Sequence, residues 1–361
     1  MIPTETDRAW LATRKGLLEL RRRSGTWQIA GTSFLGDPVT MVLPPRPGRP
    51  MLAALNLGHF GVKVHASADE GRTWAEVAAP AYPAQPDGAQ GPPWKLVLIW
   101  SLEAAGDTIW AGTLPGGLFR SRDGGASWSL VESLWNRPER LGWFGGGYDA
   151  PGIHSICIDP GQPDDILLGI SCGGAWRSRD GGARWHISAQ GMRADFMPPE
   201  QAEEQNTQDP HLIAACAAHP NVLWCQHHGG IWRSTDRGAL WTEIKVAPVS
   251  SFGFAVAAHP TDPATAWFAP AKADQCRVPV DGALVVNRTR DGGASFDTLR
   301  LGLPQAGCFD LVYRHGLAVA ADGATLLMAS TTGGLWASAD GGDQWQTVST
   351  LLPPVYAVRF G

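Results

Sequence analysis

The chain has 361 residues, a formal net charge of −5, 44 glycines, 28 prolines and 6 cysteines. An acidic balance without a basic stripe argues against nucleic acid as a partner. No apolar run reaches the roughly 20 residues that cross a membrane, so no membrane association is expected. The many turn formers, with no long helical periodicity, fit an all-β protein.

The first segment, AWLATRKGLLELRRRSGTWQIAG (9–31), reads as a strand, a short turn at Arg14–Gly16, a second strand and a turn ending at Trp27. Beyond it an eight-residue box of the form S-x-D-x-G-x-x-W recurs. The copies are SADEGRTW (67–74), SRDGGASW (121–128), SRDGGARW (178–185), STDRGALW (234–241), TRDGGASF (289–296) and SADGGDQW (338–345). Their spacing of about fifty residues marks a propeller, solenoid or array. The box suits a tight turn between strands. Its Asp can accept backbone N–H groups just after it, its glycines supply positive φ, and its closing Trp brings a large apolar ring under the turn.

Counting the closing aromatics gives seven units: Trp27, Trp74, Trp128, Trp185, Trp241, Phe296 and Trp345. Each unit divides into four strands, a to d, with the box between c and d. The clearest unit runs IHSICID (153–159), ILLGIS (166–171), AWRSRD (175–180) and onward from Trp185. The first unit lacks strand a, and the chain ends in an alternating run, VYAVRF (355–360), that can supply it. The expectation is a single all-β domain over 1–361. It is a seven-bladed β-propeller with these Asp-centred turns, closed by the C-terminal strand joining the N-terminal blade.

This topology puts the a–b turns, such as DPGQPDD (159–165) and HPTDP (259–263), at the same end as the boxes. His219 and His259 then read as turn residues. The d–a and b–c loops lie at the other end, where ligands are expected. Four are long: 78–93, 132–152, 189–210 and 270–282. Long loops on a rigid scaffold carry function more often than short ones.

Three groups of side chains are candidates. The first is His154, His211, His227 and His228 with Asp209, all assigned to loop-end positions on neighbouring blades. As ligands they could hold a divalent metal such as Zn, Mn or Ca. Without metal, His154, His211 or His228 can serve as a general base, and the plain alternative is a set of hydrogen-bonded residues lining a wet channel. The second is LWNRPERLGWFGGGYDA (134–150), where Trp143 and Tyr148 offer flat faces and Asp149 can orient hydroxyls. The alternative is that these rings pin the loop. The third is cationic, with Arg14, Lys272 and Arg277 able to hold a carboxylate or phosphate. As solvated surface charges they need no function. Cys172 and Cys276 are further loop-end residues whose nucleophilicity would require a paired base. Six cysteines without a spacing motif fit a reducing compartment. With no basic-then-apolar leader in MIPTETDRAW, a cytoplasmic protein is expected.

The six boxes resemble the BNR/Asp-box repeats of sialidases, sortilin-type receptors and bacterial proteins described as glycosyl hydrolases or exo-alpha-sialidases. The resemblance spans nearly the whole chain and implies the propeller fold and a glycan or small-molecule ligand. Sialidases use three arginines, the first in an R-I-P motif, with a Tyr–Glu pair and an Asp. Here the matching region reads ATRKG, Arg14 is not followed by Ile-Pro, and the four tyrosines stand at 82, 148, 313 and 356. Two readings follow. One is a hydrolase or lyase acting on a glycan or small polar substrate at the histidine group. The other is a non-catalytic propeller that presents its loops to a ligand or protein.

Overall fold

The computed structural model describes residues 6–361, so residues 1–5 of the N-terminal stretch lie outside the described residues. Seven four-stranded sheets make a seven-bladed β-propeller, and the C-terminal strand belongs to the first blade. Blade 1 is Val355–Phe360, Arg8–Thr13, Gly16–Arg23 and Thr26–Ser33. Blade 3 is Leu98–Ala105, Thr108–Leu114, Leu118–Ser121 and Ser129–Leu130. Blade 4 is Ile153–Asp159, Gln162–Ile170, Gly174–Ser178 and His186–Ile187, and blade 5 is Pro210–Cys216, His219–His227, Gly230–Ser234 and Thr242–Ile244. Blade 6 is Gly253–Ala258, Ala266–Pro270, Val286–Thr289 and Asp297–Leu299. Blade 2 begins at Val39 and blade 7 at Leu317.

The chain divides into two compact units. One holds Met1–Val39, Ala214–Arg237 and Thr242–Gly361; the other holds Thr40–Ile213 and Gly238–Trp241. In the first unit, VYAVRF runs antiparallel to Arg8–Thr13, from Ala9 opposite Phe360 to Thr13 opposite Val355. Its inward residues Val355 and Val358 enter a core with Leu11, Leu18 and Leu20 of blade 1 and Leu327, Ala329 and Leu335 of blade 7. Val355 and Val358 are three residues apart, and both reach this core because the register shifts at Tyr356. In the second unit the large rings pack blade against blade. Trp110 of blade 3 shares a core with Ile166, Leu168, Trp176 and Trp185 of blade 4.

The boxes fold as turns, with a division of labour that the sequence reading missed. The buried member is the Ser or Thr. Ser121 Oγ accepts the Gly125 N–H at 2.8 Å and donates to Asp123 Oδ1 at 2.8 Å. Asp123 is exposed and reaches further along the chain, accepting the Ser127 N–H at 2.9 Å. The pattern repeats at Ser67, Ser178, Thr289 and Ser338. The closing rings are unequal too. Trp185, Trp241 and Trp345 are buried, whereas Trp74, Trp128 and Phe296 are half-exposed. The boxes of blades 4 to 7 also bond to the start of strand b in their own blade or to the residues just before it, as in Gly181 N–H to Asp164 O at 3.0 Å. Boxes and a–b turns therefore share an end. His259 is a turn residue as expected, its Nδ1 accepting the N–H groups of Thr261 and Asp262.

Hydroxyl hydrogen bonds from Thr73, Ser127 and Ser295 hold the carboxyls of Asp69, Asp123 and Asp291 at about 2. A carboxyl whose value is lower when folded than unfolded stabilises the fold above its unfolded value, near pH 4, and loses that contribution as pH falls through about 2. Acid unfolding of Asp123→Asn is thus expected to show a shallower loss of stability between about pH 4 and pH 2 than wild type. Coincident acid-denaturation curves for the two proteins would show that the turn carboxylates contribute nothing.

Candidate functional site

The buried centre of the candidate site is a carboxylate and an imidazole. Asp209 lies just before strand a of blade 5, and His211 is that strand's second residue. Asp209 Oδ2 stands 3.4 Å from His211 Nε2, with both side chains almost wholly buried. Two donors from the b–c turn of blade 4 fix the other oxygen. Asp209 Oδ1 accepts the Cys172 N–H at 3.1 Å and the Ser171 hydroxyl at 3.3 Å. Cys172 adopts a left-handed φ of 45°, a strained geometry for a non-glycine residue. The loop between blades 3 and 4 also reaches this carboxylate. A Cβ on Gly146 would lie 2.9 Å from Ser171 Oγ, 2.9 Å from Cys172 Sγ and 3.3 Å from Asp209 Oδ2. Only glycine lets the backbone pass so close.

His228 is half-buried in the b–c turn of blade 5. The Asp209 carboxylate and the His211 imidazole are ligand types that suit zinc or manganese. Calcium, one of the ions the sequence left open, takes six to eight oxygens and is poorly matched by this set.

The other two histidines make other contacts. His227 is the last residue of strand b, and His228 follows it in the turn. Its ring is fully buried, with Nδ1 accepting the Gly229 N–H at 2.9 Å, and its centroid is 6.1 Å from that of Trp232. Gln226 holds the same turn, its Nε2 donating to the carbonyls of Gly230 and Ser251. His154 is buried against the edge of Trp100, with ring centroids 5.5 Å apart, and its Nδ1 is 2.9 Å from Ser155 Oγ.

Local geometry explains the placement of His154. Strand a of blade 4 shifts register between Ile153 and Ser155, so His154 sits in a β-bulge. Bulges re-aim a side chain that regular alternation would fix. Blade 3 has the same shift at Trp100 and blade 6 at Phe254. Trp100 was not singled out from sequence. A Trp inside the apolar run LVLIWSL reads as core, and only the shift distinguishes it.

The aromatic loop divides between the two roles considered for it. Trp143 is buried, donates from Nε1 to Asn206 Oδ1 at 2.9 Å and packs on Trp176 with centroids 5.7 Å apart. These contacts pin the loop, the second of the roles considered for it. Tyr148 is 49% exposed and meets Trp100 edge-on at 5.2 Å, and Asp149 is exposed beside it. The loop before blade 3 joins the same small core, with Tyr82 donating to Pro115 O at 2.7 Å and stacking on Trp135.

Of the cationic group, Arg14 and Lys272 are exposed. Arg277 is half-buried, pairs with Asp274 at 2.5 Å, donates to Tyr313 OH at 3.3 Å and lies 5.3 Å from the Phe254 centroid. Arg314 reaches that ring as well, at 5.6 Å. Cys172 is buried and Cys276 exposed, and all six cysteines are unbridged. Burial pushes the Cys308 thiol up to about 11. No helix is long and apolar enough to cross a membrane among the described residues.

No family model matches the chain. It is 24% identical over 215 residues to an oligoxyloglucan-reducing end-specific xyloglucanase of Emericella nidulans, covering 54% of this chain and 24% of that protein. It is 25% identical over 158 residues to a xyloglucanase of Paenibacillus, covering 40% of this chain and 14% of that one. The chain thus spans a quarter or less of the length of these relatives. Among solved structures, the GH74 xyloglucanase of Xanthomonas campestris superposes with a TM-score of 0.65 at 18% identity, over 96% of this chain and 53% of that one. YCF48 of Cyanidioschyzon merolae superposes with a TM-score of 0.57 at 15% identity, over 100% and 97%. At these identities the solved structures support the propeller fold, and the sequence matches point to propellers that act on glycans.

Proposed function

We propose that this chain is a glycan-acting hydrolase whose chemistry centres on Asp209 and His211, with zinc or manganese as the ion they help hold. The observation that carries this reading is the buried Asp209–His211 pair at 3.4 Å. A buried carboxylate with two donors of its own fixes the orientation of an imidazole, as catalytic and metal-ligating histidines require. The similarity to two xyloglucanases supports a glycan as substrate. Half-exposed Tyr148 and exposed Asp149 stand on the loop that brings Gly146 against Asp209. They supply a face for a sugar ring and an acceptor for its hydroxyls. A divalent ion held there would supply a Lewis acid and lower the proton affinity of a bound water.

The test is metal analysis of protein purified without a histidine tag, together with release of reducing ends from a panel of plant and microbial polysaccharides. The expected result is about one equivalent of zinc or manganese. His211→Ala and Asp209→Asn should abolish it while the melting transition persists, because the blades close without the ion. Turnover should fall at least about a hundredfold in both variants. Full turnover in His211→Ala would sink the assignment. Glycan binding without turnover in wild type would favour the non-catalytic alternative.

A further inference from the structure

On its box side, blade 4 differs from the other blades. Strand c carries Arg177, and Arg179 follows just past its end in the box turn. Across the turn, His186 of strand d stands directly opposite Arg177, and Arg184 lies two residues before it. Four basic groups from one hairpin therefore line one cleft. The same four positions read Arg120, Arg122, Ser127 and Ser129 in blade 3. They read Arg233, Thr235, Leu240 and Thr242 in blade 5, and Ala337, Ala339, Gln344 and Gln346 in blade 7. The first arginine has a structural duty, since Arg177 forks onto Asp165 at 3.0 and 2.6 Å. Arg179, Arg184 and His186 are surplus to it. All three are exposed, and among the described residues their side chains make no ion pair or hydrogen bond.

These residues line a cleft of about 490 Å³. That volume falls within the roughly 300–1,000 Å³ of small-ligand sites. Its single carboxylate, Asp180, is committed to the box turn, accepting the Ser178 hydroxyl at 2.9 Å and the Arg184 N–H at 2.8 Å. With Arg177 balanced by Asp165, Arg179 and Arg184 against Asp180 leave a cationic cleft on a chain of net charge −5. The remaining lining is suited to a sugar. Ile187 and Ala239 give an apolar floor, and Gln190 and Gln205 offer amides. The Gln205 amide is fixed by accepting the Ala189 N–H at 3.2 Å, which leaves its NH2 group to donate.

We infer that this cleft is a second binding site, for the carboxylates of an acidic glycan, with Arg179 and Arg184 as its anchors. Guanidinium forks match carboxylates in geometry and charge, while the amides and the apolar floor match sugar hydroxyls and ring faces. The sugar part of this inference rests on the glycan reading above; the anion part does not. The site involves none of the residues assigned to turnover, so it anchors a chain and performs no chemistry on it.

The test is calorimetric titration of the full chain with a galacturonic-acid trisaccharide, its methyl ester and inorganic phosphate. The acid trisaccharide is expected to bind at least about tenfold more tightly than the uncharged ester. Arg179→Ala combined with Arg184→Ala should weaken that binding at least about tenfold, and His211→Ala should leave it unchanged. Both arginines are exposed, so an unaltered melting temperature certifies the double variant. Equal affinity for acid and ester, no binding, or an unaffected double variant would overturn the inference. Phosphate competing as well as the trisaccharide would reduce the site to a simple anion site and overturn its sugar specificity. A protein that cleaves no glycan yet binds the acid trisaccharide here would sink the hydrolase proposal and leave this one standing.

Discussion

Deletion of residues 354–361 is expected to leave the protein insoluble or unfolded at room temperature. The segment is the whole of strand a in blade 1, paired along its length with Arg8–Thr13. Removing it exposes an unpaired edge, which invites aggregation. It also takes Val355 and Val358 out of the core that joins blades 1 and 7. Burying a Val side chain contributes about 1.5–3 kcal/mol, so these two alone account for roughly 3–6 kcal/mol. Lost ladder hydrogen bonds add to that. Typical domains hold only about 5–15 kcal/mol in total. Soluble yield and thermal melting of the truncated chain decide the matter. A soluble truncation with the wild-type melting temperature would refute the closure.

Trp176→Ala is expected to cost about 3–5 kcal/mol, the usual range for emptying a buried Trp site. For a chain of this size that lowers the melting temperature by roughly 4–7 °C. Trp176 is fully buried and its Nε1 donates to Gly173 O at 2.8 Å. It is also the surface on which Trp143 seats the loop between blades 3 and 4. The variant should therefore speed amide exchange and proteolysis at 134–150 more than elsewhere, and Trp176→Phe should restore most of the protection. Equal protection of the loop in wild type and Trp176→Ala would show that the loop is held by something other than this ring pair.

The architecture was legible because the period was. A repeated box fixes where strands c and d meet, and the orphan strand at each end of the chain identifies its partner. The candidate site was legible in part. His227 closes strand b with His228 following in the turn, and His211 stands only two residues after Asp209, so those residues could be found by counting. His154 and Trp100 could not, because a one-residue register shift moved them off the regular pattern. The role of Trp143 was not legible for a different reason. An aromatic ring in a long loop reads alike whether it faces a ligand or the loop's own core, and only packing against Trp176 and Asn206 separates the two. The cationic hairpin of blade 4 was visible in sequence but passed over, because each of its residues is ordinary until strand pairing sets them side by side.

The bulges at Trp100, His154 and Phe254 have a consequence for how such a protein can change. A residue in a bulge is released from the pairing that constrains its neighbours. Its identity can therefore change from Trp to His to Phe without disturbing the ladder on either side, as it already does from blade to blade. His211 occupies the corresponding second position of its own strand. The propeller thus carries a set of exchangeable sockets on a frame that does not register what fills them. A new specificity can be assembled in it one blade at a time, with each step nearly neutral for folding.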